Sequence, residues 1–580
     1  MSAGEVGIGA SGRGMVASAP GLGGLGASGT GMRATGPGVP ANDRWMGLGL
    51  ALLVILVWFA VLGERPLFDP DEGRYAEIPR EMLASGQFLV PHLDGLTYLE
   101  KPPLQYWATA ASLALLGRTE FAARLYTALC ALGTVWAVWL LAARCFGALA
   151  ALRAAAVLAS MLLFVILGQL LTLDMSLTCY LTWSLTGFVL AQRAPPAAAR
   201  RWMLLAWVAT ALGVLTKGLE AAAIPAAVLI LHTLLTRDAR PWRRLYALPG
   251  LALFLLLAVP WFWLVARRVP DFLEFFFVHE HVARYLTPSA DREEPVWFFA
   301  GVFLWGTLPW TLPALRVVAG GVRRSAPTTE FDVARFLWLW VLFVALFFSF
   351  SDSKLIPYLL PALPPLAVLI GALREEPLRT DTLRTALLTL AAAALCVLLA
   401  HFGPRQLTPG ERNACFAALA PALWRVALLL GLTGLYALTQ RRRGVLRTQL
   451  FLAAGWCLAA LWLARAAIAV APIYSGIGMV RALPAVPPEV PVYSVAAYDQ
   501  TLPFYWNRAV ALVQYRGELD FGLKEDPGAA MTLPEFIARW QAAPVAYAVM
   551  ERRTFEALER EAVPMRELAH DVRRVLVARR

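Results

Sequence analysis

Long apolar segments separated by short polar connections run from Met46 to Val470 of this 580-residue chain. Most are about 18 to 23 residues long, which lets a helix cross a hydrocarbon core of roughly 30 Å. With 59% hydrophobic and only 16% charged residues, the chain is also too apolar for a soluble domain. The pattern predicts an α-helical polytopic membrane protein.

Fourteen apolar segments lie in this region, and the shortest, residues 104–117, follows Pro102 and Pro103. If that segment lies at the membrane surface, the arginine clusters between the others all fall on one side, which the positive-inside rule assigns to the cytoplasm. We therefore predict about thirteen transmembrane helices, with the N-terminus inside and the C-terminus outside. The formal net charge of +12 then reflects topology, and we predict no nucleic-acid partner.

This topology divides the chain into three parts. Residues 1–43 form a Gly/Ala-rich cytoplasmic tail, predicted to be disordered because it has almost no large apolar side chains. Residues 44–470 form the membrane domain. Within it, residues 64–120, here called the arm, make one long outer loop with helices near 74–85 and 104–116. Residues 471–580 read as a small outer α/β domain with strands at 492–498, 545–550 and 572–578 and helices at 533–541 and 553–561.

Ionisable side chains gather at the predicted outer ends of the membrane segments, which is a hypothesis for a functional site. Asp71 lies in an acidic cluster after the first span, with Arg74 and Tyr75 one turn later. A crowded carboxylate there suits a general base or a stabiliser of positive charge, although Asp69 or Glu72 could equally cap the loop. Asp174 is the second candidate acid, with helix capping as the alternative.

Lysine is scarce, since only four of the 52 lysine and arginine residues are lysine. Three of these four, Lys101, Lys217 and Lys354, fall at outer ends of membrane segments. An ammonium group binds phosphate as a point charge, so we predict that these three are phosphate ligands. The alternative is that they are interfacial anchors.

A metal site is a weaker hypothesis. His279 and His281 flank Glu280, and on an extended segment both imidazoles would point the same way, so that with Glu100 they could hold a divalent cation. The alternative is that the histidines bind phosphate or pack at the interface.

Residues 69–107 carry the motifs DEGRYAEI at 71–78, EMLASG at 81–86 and YLEKPPLQYW at 98–107. Further motifs are LDM at 173–175, TKG at 216–218, HEHVARY at 279–285, SKLIPY at 353–358 and YDQTLPFY at 498–505. In this order they resemble the bacterial lipid A aminoarabinose transferases and, more distantly, the protein O-mannosyltransferases, all of GT-C architecture.

The resemblance implies an inverting glycosyltransferase of the bacterial inner membrane whose active site faces the periplasm. It would move a sugar, such as 4-amino-4-deoxy-L-arabinose, from a polyprenyl-phosphate donor to lipid A phosphate. By motif, Asp71 and Asp174 are the catalytic acids and Glu100 with His281 a zinc site. The implied donor-phosphate ligands are Arg74, Tyr75, Lys101, Lys217 and Lys354.

Two alternatives stay open at the level of sequence. A protein O-glycosyltransferase would share the donor but not the acceptor. A lipid transporter would also carry charges in the membrane, but the chain lacks the inverted internal repeats typical of transporters. The residues do not identify the sugar.

Overall fold

The computed structural model describes residues 40–283, 294–321, 330–406, 411–440 and 444–580. Up to residue 482 the described chain is almost entirely helical, apart from the hairpin of β1 (His92–Leu93) and β2 (Leu96–Thr97). The helices are Ala41–Ala60, Asp71–Ser85, Leu104–Leu116, Glu120–Phe146, Ala148–Ser160, Leu162–Gly168, Leu173–Arg193, Pro196–Thr216, Glu220–Thr236, Arg240–Arg243, Ala247–Ala266, Glu274–Ala283 (a π-helix), Phe298–Gly306, Thr311–Gly320, Val333–Ser349, Ile356–Ala362 (a 3₁₀-helix), Leu363–Gly371, Glu375–Gln406, Glu411–Ala417, Ala420–Gln440, Val445–Ala466, Ala467–Val470 (a 3₁₀-helix), Ala471–Tyr474 and Ile477–Ala482.

Seven helices of the described residues are long and apolar enough to cross a membrane, or eight if Ala148–Ser160 and Leu162–Gly168, bent by 65°, form one span. Shorter apolar helices include Glu220–Thr236 and Val333–Ser349. The predicted helical, polytopic architecture is confirmed, whereas the number thirteen stays a prediction.

Several predicted spans are broken at positions where the backbone cannot continue a helix. Residues 296–316, one of the fourteen apolar segments of the sequence, divide into Phe298–Gly306 and Thr311–Gly320 around Pro309, because proline has no N–H and clashes with the preceding turn. The freed Leu308 carbonyl accepts a hydrogen bond from the Leu162 N–H at 2.9 Å, where another span is broken. The backbone groups that the two helix breaks leave free thus bond to each other, and in an apolar environment every backbone polar group needs such a partner.

The predicted tail ends slightly too late. Residues 1–39 lie outside the described residues, but the first helix begins at Ala41, and Asp43 belongs to its first turn. The Asp43 carboxylate accepts from Arg447 at 2.5 Å and also suits the positive end of the helix dipole.

The C-terminal domain is built on a six-stranded sheet of order β5-β4-β3-β6-β8-β7. The strands are β3 (Val492–Val495), β4 (Ala511–Val513), β5 (Ala530–Met531), β6 (Tyr547–Glu551), β7 (Met565–His570) and β8 (Arg574–Arg579). β3 pairs in parallel with β4 and β6, β4 pairs in parallel with β5, and β8 runs antiparallel between β6 and β7. Its helices are Thr501–Trp506, Gly517–Leu519 (a 3₁₀-helix), Asp520–Glu525, Leu533–Ala542 and Arg552–Arg560.

The predicted small α/β domain is therefore confirmed as a fold, with three strands that the sequence pattern missed. β4 and β5 are only three and two residues long, and β7 is a largely exposed edge strand. Such strands lack the alternation of apolar and polar residues on which the prediction rested.

The arm lies between the membrane helices and this domain. Its first helix, Asp71–Ser85, begins three residues earlier than predicted. A Cβ atom at Gly73 would lie 2.5 Å from the Gln500 carbonyl carbon, so only glycine permits this contact. On the other side of the arm, a Cβ atom at Gly522 would lie 2.7 Å from the Thr97 oxygen. The arm and the domain are thus in backbone contact at two points.

A buried carboxyl group lies at this joint. Asp94 has a left-handed backbone (φ 56°) and its Oδ1 accepts from the Val510 N–H at 2.8 Å, while Oδ2 is buried without a hydrogen-bond partner among the described residues. The Glu81 carboxylate accepts from the Asp94 N–H at 2.6 Å. Burial raises the pKa of Asp94 to about 8, because little compensates the ionised form there.

We predict that Asp94→Asn flattens the pH dependence of stability. The folded state holds the proton more tightly than the unfolded chain, whose Asp pKa is about 3.9. The native protein should therefore lose stability as the pH rises from about 4 to 8, by at most a few kcal/mol. Asparagine keeps the acceptor for Val510 and tolerates a positive φ. Thermal unfolding of the detergent-solubilised protein between pH 5 and 8.5 measures this.

The exposed carboxylate of Asp526, in the C-terminal domain, supplies the control, Asp526→Asn. An unchanged pH dependence in Asp94→Asn, or the same flattening in the control, would contradict the assignment to Asp94.

Candidate active site

The start of the arm is held by a buried ionic network around Glu72. This carboxylate accepts from Arg65 at 2.5 and 3.0 Å and from Arg124 at 2.8 and 3.0 Å. It also accepts from the backbone N–H groups of Phe68 and Leu171. Burial alone would raise the pKa of Glu72, but the two guanidinium groups outweigh it and lower the pKa. Glu72 is a structural anion.

Asp69 joins the arm to the C-terminal domain. Its Oδ2 accepts from Arg574 at 2.6 Å and its Oδ1 from the Thr501 N–H at 3.2 Å. Arg574 also binds Asp499 and Asp571, so three buried carboxylates share one guanidinium group. Burial and the neighbouring Asp499 raise the pKa of Asp69, as expected for crowded carboxyl groups.

Asp71 is the accessible member of the acidic cluster. Its side chain is 49% exposed, whereas those of Glu72 and Asp69 are 2% and 4% exposed. Its carboxylate contacts the Arg74 guanidinium at 3.3 Å across one helical turn. Of the three carboxylates, only Asp71 is available to a substrate.

Arg74 is the buried centre of this site. It donates to the Tyr98 hydroxyl at 2.8 Å, faces Glu518 at 3.0 Å and lies 3.9 Å from Glu100. Burial opposes its charge, but Glu518 and the other acidic groups around it raise the pKa of Arg74. Tyr75 packs beside Arg74, with 5.5 Å from the guanidinium carbon to the ring centroid. The structure thus brings Asp71, Arg74, Tyr75 and Glu100 together, as the sequence suggested.

Glu518 was not anticipated from the sequence. It lies in the 3₁₀-helix Gly517–Leu519 of the C-terminal domain, and its carboxylate accepts from Gln500 at 2.7 Å. Burial raises the pKa of Glu518 even though Arg74 opposes this effect. Gln500 belongs to the motif YDQTLPFY, which was the available signal that the domain contributes to the site. Nothing in the local sequence marks Glu518 itself.

The predicted phosphate ligands are held by oxygen groups of the protein. Lys217 donates to Asp174 at 2.6 Å and lies 4.6 Å from the centroid of the Tyr358 ring. Lys101 donates to Glu280 at 3.1 Å. Lys354 is buried and donates to the Ser351 carbonyl at 2.6 Å. Because Tyr358 lies on the segment that follows Lys354, these two lysines belong to one corner of the bundle.

Hydrogen bonds connect this corner to the arm. Ser176, on the first turn of the helix that carries Asp174, donates to Gln105 at 2.6 Å. Gln105 lies on the arm helix Leu104–Leu116, which also carries Tyr106, and the Tyr106 and Tyr75 rings are 6.1 Å apart. The residues around Arg74 and the Lys217–Asp174 pair therefore lie on either side of the arm helix Leu104–Leu116.

The geometric premise for the metal site is wrong. Glu274–Ala283 is a π-helix rather than an extended segment, and residues two apart on a helix do not face each other. The His281 side chain lies outside the described residues. Elsewhere in the described part of the chain, no three His, Cys, Asp or Glu side chains are grouped so that they could hold a metal ion. Of the candidate ligands that the structure describes, Glu280 pairs with Lys101 and Glu100 lies 3.9 Å from Arg74, and we assign no step to a metal.

Two family models match the chain. The model described as Aminoarabinose transferase C-terminal domain matches residues 479–579, and the model described as Dolichyl-phosphate-mannose-protein mannosyltransferase matches residues 100–263.

Curated relatives and a solved structure extend the likeness. An undecaprenyl phosphate-alpha-4-amino-4-deoxy-L-arabinose arabinosyl transferase of Sodalis glossinidius is 36% identical over 61% of this chain, but the alignment spans only 64% of that relative. The enzyme of the same description from Aeromonas salmonicida is 33% identical over 68% of this chain and 73% of its own length. The crystal structure of ArnT from Cupriavidus metallidurans bound to undecaprenyl phosphate superimposes with a TM-score of 0.85 at 32% identity, covering 93% of this chain and 98% of that one.

We predict that substitutions at two adjacent acidic residues differ strongly in their effect on the free energy of unfolding. Glu72→Gln leaves Arg65 and Arg124 buried without their counter-ion, which should cost roughly 3–5 kcal/mol of the free energy of unfolding. Asp71→Asn changes a half-exposed side chain and should alter stability by less than about 0.5 kcal/mol. Thermal unfolding of both purified variants in detergent makes the comparison. Equal melting temperatures would show that Glu72 does not carry the network.

Proposed function

The chain belongs to the family of undecaprenyl phosphate-aminoarabinose arabinosyl transferases, as its motifs predicted, and from this premise we propose that it transfers an amino sugar from a polyprenyl-phosphate donor to a phosphate of lipid A. The observation that carries the proposal is the placement of Asp71. It is the one accessible carboxylate of its cluster and contacts the buried Arg74. Carboxylates also hold the two candidate phosphate ligands Lys101 and Lys217 in place.

The donor phosphate binds the ammonium groups of Lys101 and Lys217, with Lys354 in the same corner as Lys217. Lys101 and Lys217 are held at 3.1 and 2.6 Å from Glu280 and Asp174, so their positions are set before the donor arrives. A preorganised cation stabilises the negative charge that develops on the phosphate as the glycosyl–phosphate bond breaks.

The acceptor oxygen attacks the anomeric carbon from the face opposite to the leaving polyprenyl phosphate, which inverts the configuration. A phosphate acceptor is already an anion, so Asp71 then orients it or balances the positive charge of the oxocarbenium-like transition state. A hydroxyl acceptor would instead give its proton to Asp71. The two cases predict different pH–rate profiles.

The charge around Arg74 favours a sugar that carries an amine. Asp71 and Glu518 both face this single guanidinium group, two carboxylates against one cation, which leaves an excess of negative charge. An ammonium group on the sugar compensates that excess and accepts charge-assisted hydrogen bonds. A neutral hexose would leave it uncompensated.

We place the protein in the bacterial inner membrane, with about thirteen spans and with the arm and residues 471–580 in the periplasm. The positive-inside distribution of arginines supports this orientation. The zinc site on Glu100 and His281 stays a prediction from the sequence, which metal analysis of the purified protein tests.

Mass spectrometry of the acceptor decides the assignment. Purified protein supplied with the lipid-linked aminoarabinose donor and lipid A should increase the mass of lipid A by one amino sugar. Movement of lipid without a change of mass would indicate a transporter, and modification of protein rather than lipid A in cells carrying the gene would indicate an O-glycosyltransferase.

We predict that Asp71→Asn lowers kcat for this transfer by roughly 100-fold or more while the protein still folds and inserts. The amide keeps the shape of the side chain but neither takes a proton nor balances a cation. Turnover with saturating donor and lipid A is the measurement. Full transfer by the variant would remove Asp71 from the mechanism.

We predict that Glu518→Gln discriminates between donors. Removing one charged partner of an ammonium group should raise KM for the amino-sugar donor by about tenfold to a hundredfold. A donor whose amine is replaced by a hydroxyl should respond much less, which controls for indirect effects through Arg74. An equal change for both donors would place the sugar amine elsewhere.

A further inference from the structure

A second cavity, of about 460 Å³, lies where the C-terminal domain meets the ends of the last two membrane segments. None of Asp71, Arg74, Lys101, Lys217 and Glu518 lines it. Its lining comes from the arm, the membrane helices and the domain, and includes Pro66, Cys415, Ile468, Gly478, Arg481 and Asp571.

The cavity lies beside the ends of two candidate membrane spans. Cys415 and Ile468 lie in the candidate spans Asn413–Gln440 and Val445–Tyr474, near the ends that face the domain. Pro66, Cys415 and Ala471 are buried, whereas Ile468 at the mouth is 48% exposed. Because Ile468 is an exposed apolar residue in a candidate membrane span, membrane lipid can reach the apolar space past it.

One accessible cation, Arg481, lines the cavity. Arg481 is exposed, and no ion pair forms with its guanidinium group among the described residues. The Asp571 carboxylate is only 7% exposed, because it accepts from Arg574 and from the backbone N–H groups of Arg573 and Arg574. His570 contacts Glu567 at 2.6 Å. An apolar space beside an accessible arginine complements an amphiphile that carries both an acyl chain and a phosphate.

Of the two lipids in the proposed reaction, the acceptor fits this space better than the donor. The candidate phosphate ligands of the donor lie in a different part of the molecule, and about 460 Å³ is small for a long polyprenyl tail. Pro66 precedes Asp71 by five residues, so the cavity edge is at most roughly 18 Å along the chain from that carboxylate. The N–H of Asp69, between them, donates to the carbonyl of Tyr474 beside the cavity at 2.7 Å.

We propose that this cavity is an acceptor-lipid site, in which an acyl chain of lipid A occupies the apolar space while Arg481 binds a phosphate. The proposal rests on the proposed function for the identity of the acceptor. It gives the acceptor its own entry from the membrane, separate from the cations that bind the donor phosphate.

Gly478 makes the site testable by filling it. A Cβ atom at Gly478 meets no atom within 4 Å, so Gly478→Trp places an indole into open space without a clash at its base. Arg481→Gln removes the charge and leaves the volume. We expect each variant to raise KM for lipid A by about tenfold or more, with KM for the donor and kcat unchanged.

Matched controls come from the same domain. Gly528→Phe adds a side chain at an exposed glycine whose Cβ would contact only Asp526, at 3.6 Å, and Arg566→Gln removes an exposed arginine, and neither residue lines the cavity. Both controls should retain the wild-type KM for lipid A. An unchanged KM for lipid A in both cavity variants, or a rise in KM for the donor instead, would overturn the proposal.

A binding measurement separates this site from the reaction. A photoreactive benzoylphenylalanine in place of Ile477 is irradiated in phosphatidylethanolamine–phosphatidylglycerol vesicles containing lipid A, without donor. We expect cross-linking to lipid A that Arg481→Gln weakens. Cross-linking to phospholipid alone overturns the cavity proposal. Lipid A cross-linking by the Ile477 variant, together with no sugar transfer by the wild-type protein, would contradict the proposed function and leave the cavity site supported.

Discussion

The buried Glu72 carboxylate is the constraint on which the geometry of the site depends. Arg124 connects it to the carbonyl groups of Leu62 and Arg65 at the end of the first span, and Arg65 connects it to Gln169. Glu72 itself accepts from the Leu171 N–H, three residues before Asp174. One anion thus joins the first span, the start of the arm and the start of the helix that carries Asp174. Because a buried charge that loses its partner is very costly, this network tolerates little displacement, and it fixes Asp71 and Asp174 relative to each other.

The C-terminal domain is part of the site. Asp69 of the arm and Asp499 of the domain share Arg574, and the backbone of Gln500 lies against Gly73. Arg74 and Glu518 are both buried, and each compensates the charge of the other across the joint. Without the domain, the arm would expose Arg74 and lose the excess of acidic groups around it. The domain therefore does more than cover the membrane helices, since its Glu518 contributes to the charge around Arg74.

The sequence revealed the parts of this arrangement that have a local signal. Apolar length predicted the membrane helices, and the scarcity of lysine singled out Lys101, Lys217 and Lys354. Signals were weaker where proline breaks a span, as at Pro309, and where a strand has two or three residues. Glu518 could not be found from the sequence, because its place in the site depends on its ion pair with Arg74, 444 residues earlier in the chain. The π-helix at Glu274–Ala283 was missed for a related reason, since three consecutive polar residues carry no period of their own.

The pairing of the lysines with carboxylates also bears on how the proposed reaction turns over. A free lysine pair would bind the phosphate of the donor and of the released polyprenyl phosphate equally strongly, and such uniform binding does not accelerate the chemical step. Lys217 and Lys101 are instead balanced by Asp174 and Glu280, so an arriving phosphate shares each ammonium group with a carboxylate. That competition weakens ground-state binding while the position of the cation is kept. In the transition state the phosphate gains negative charge and therefore competes more strongly with the carboxylate for each ammonium group. The lysines thus stabilise the phosphate most while the glycosyl bond breaks, and less when the product must leave.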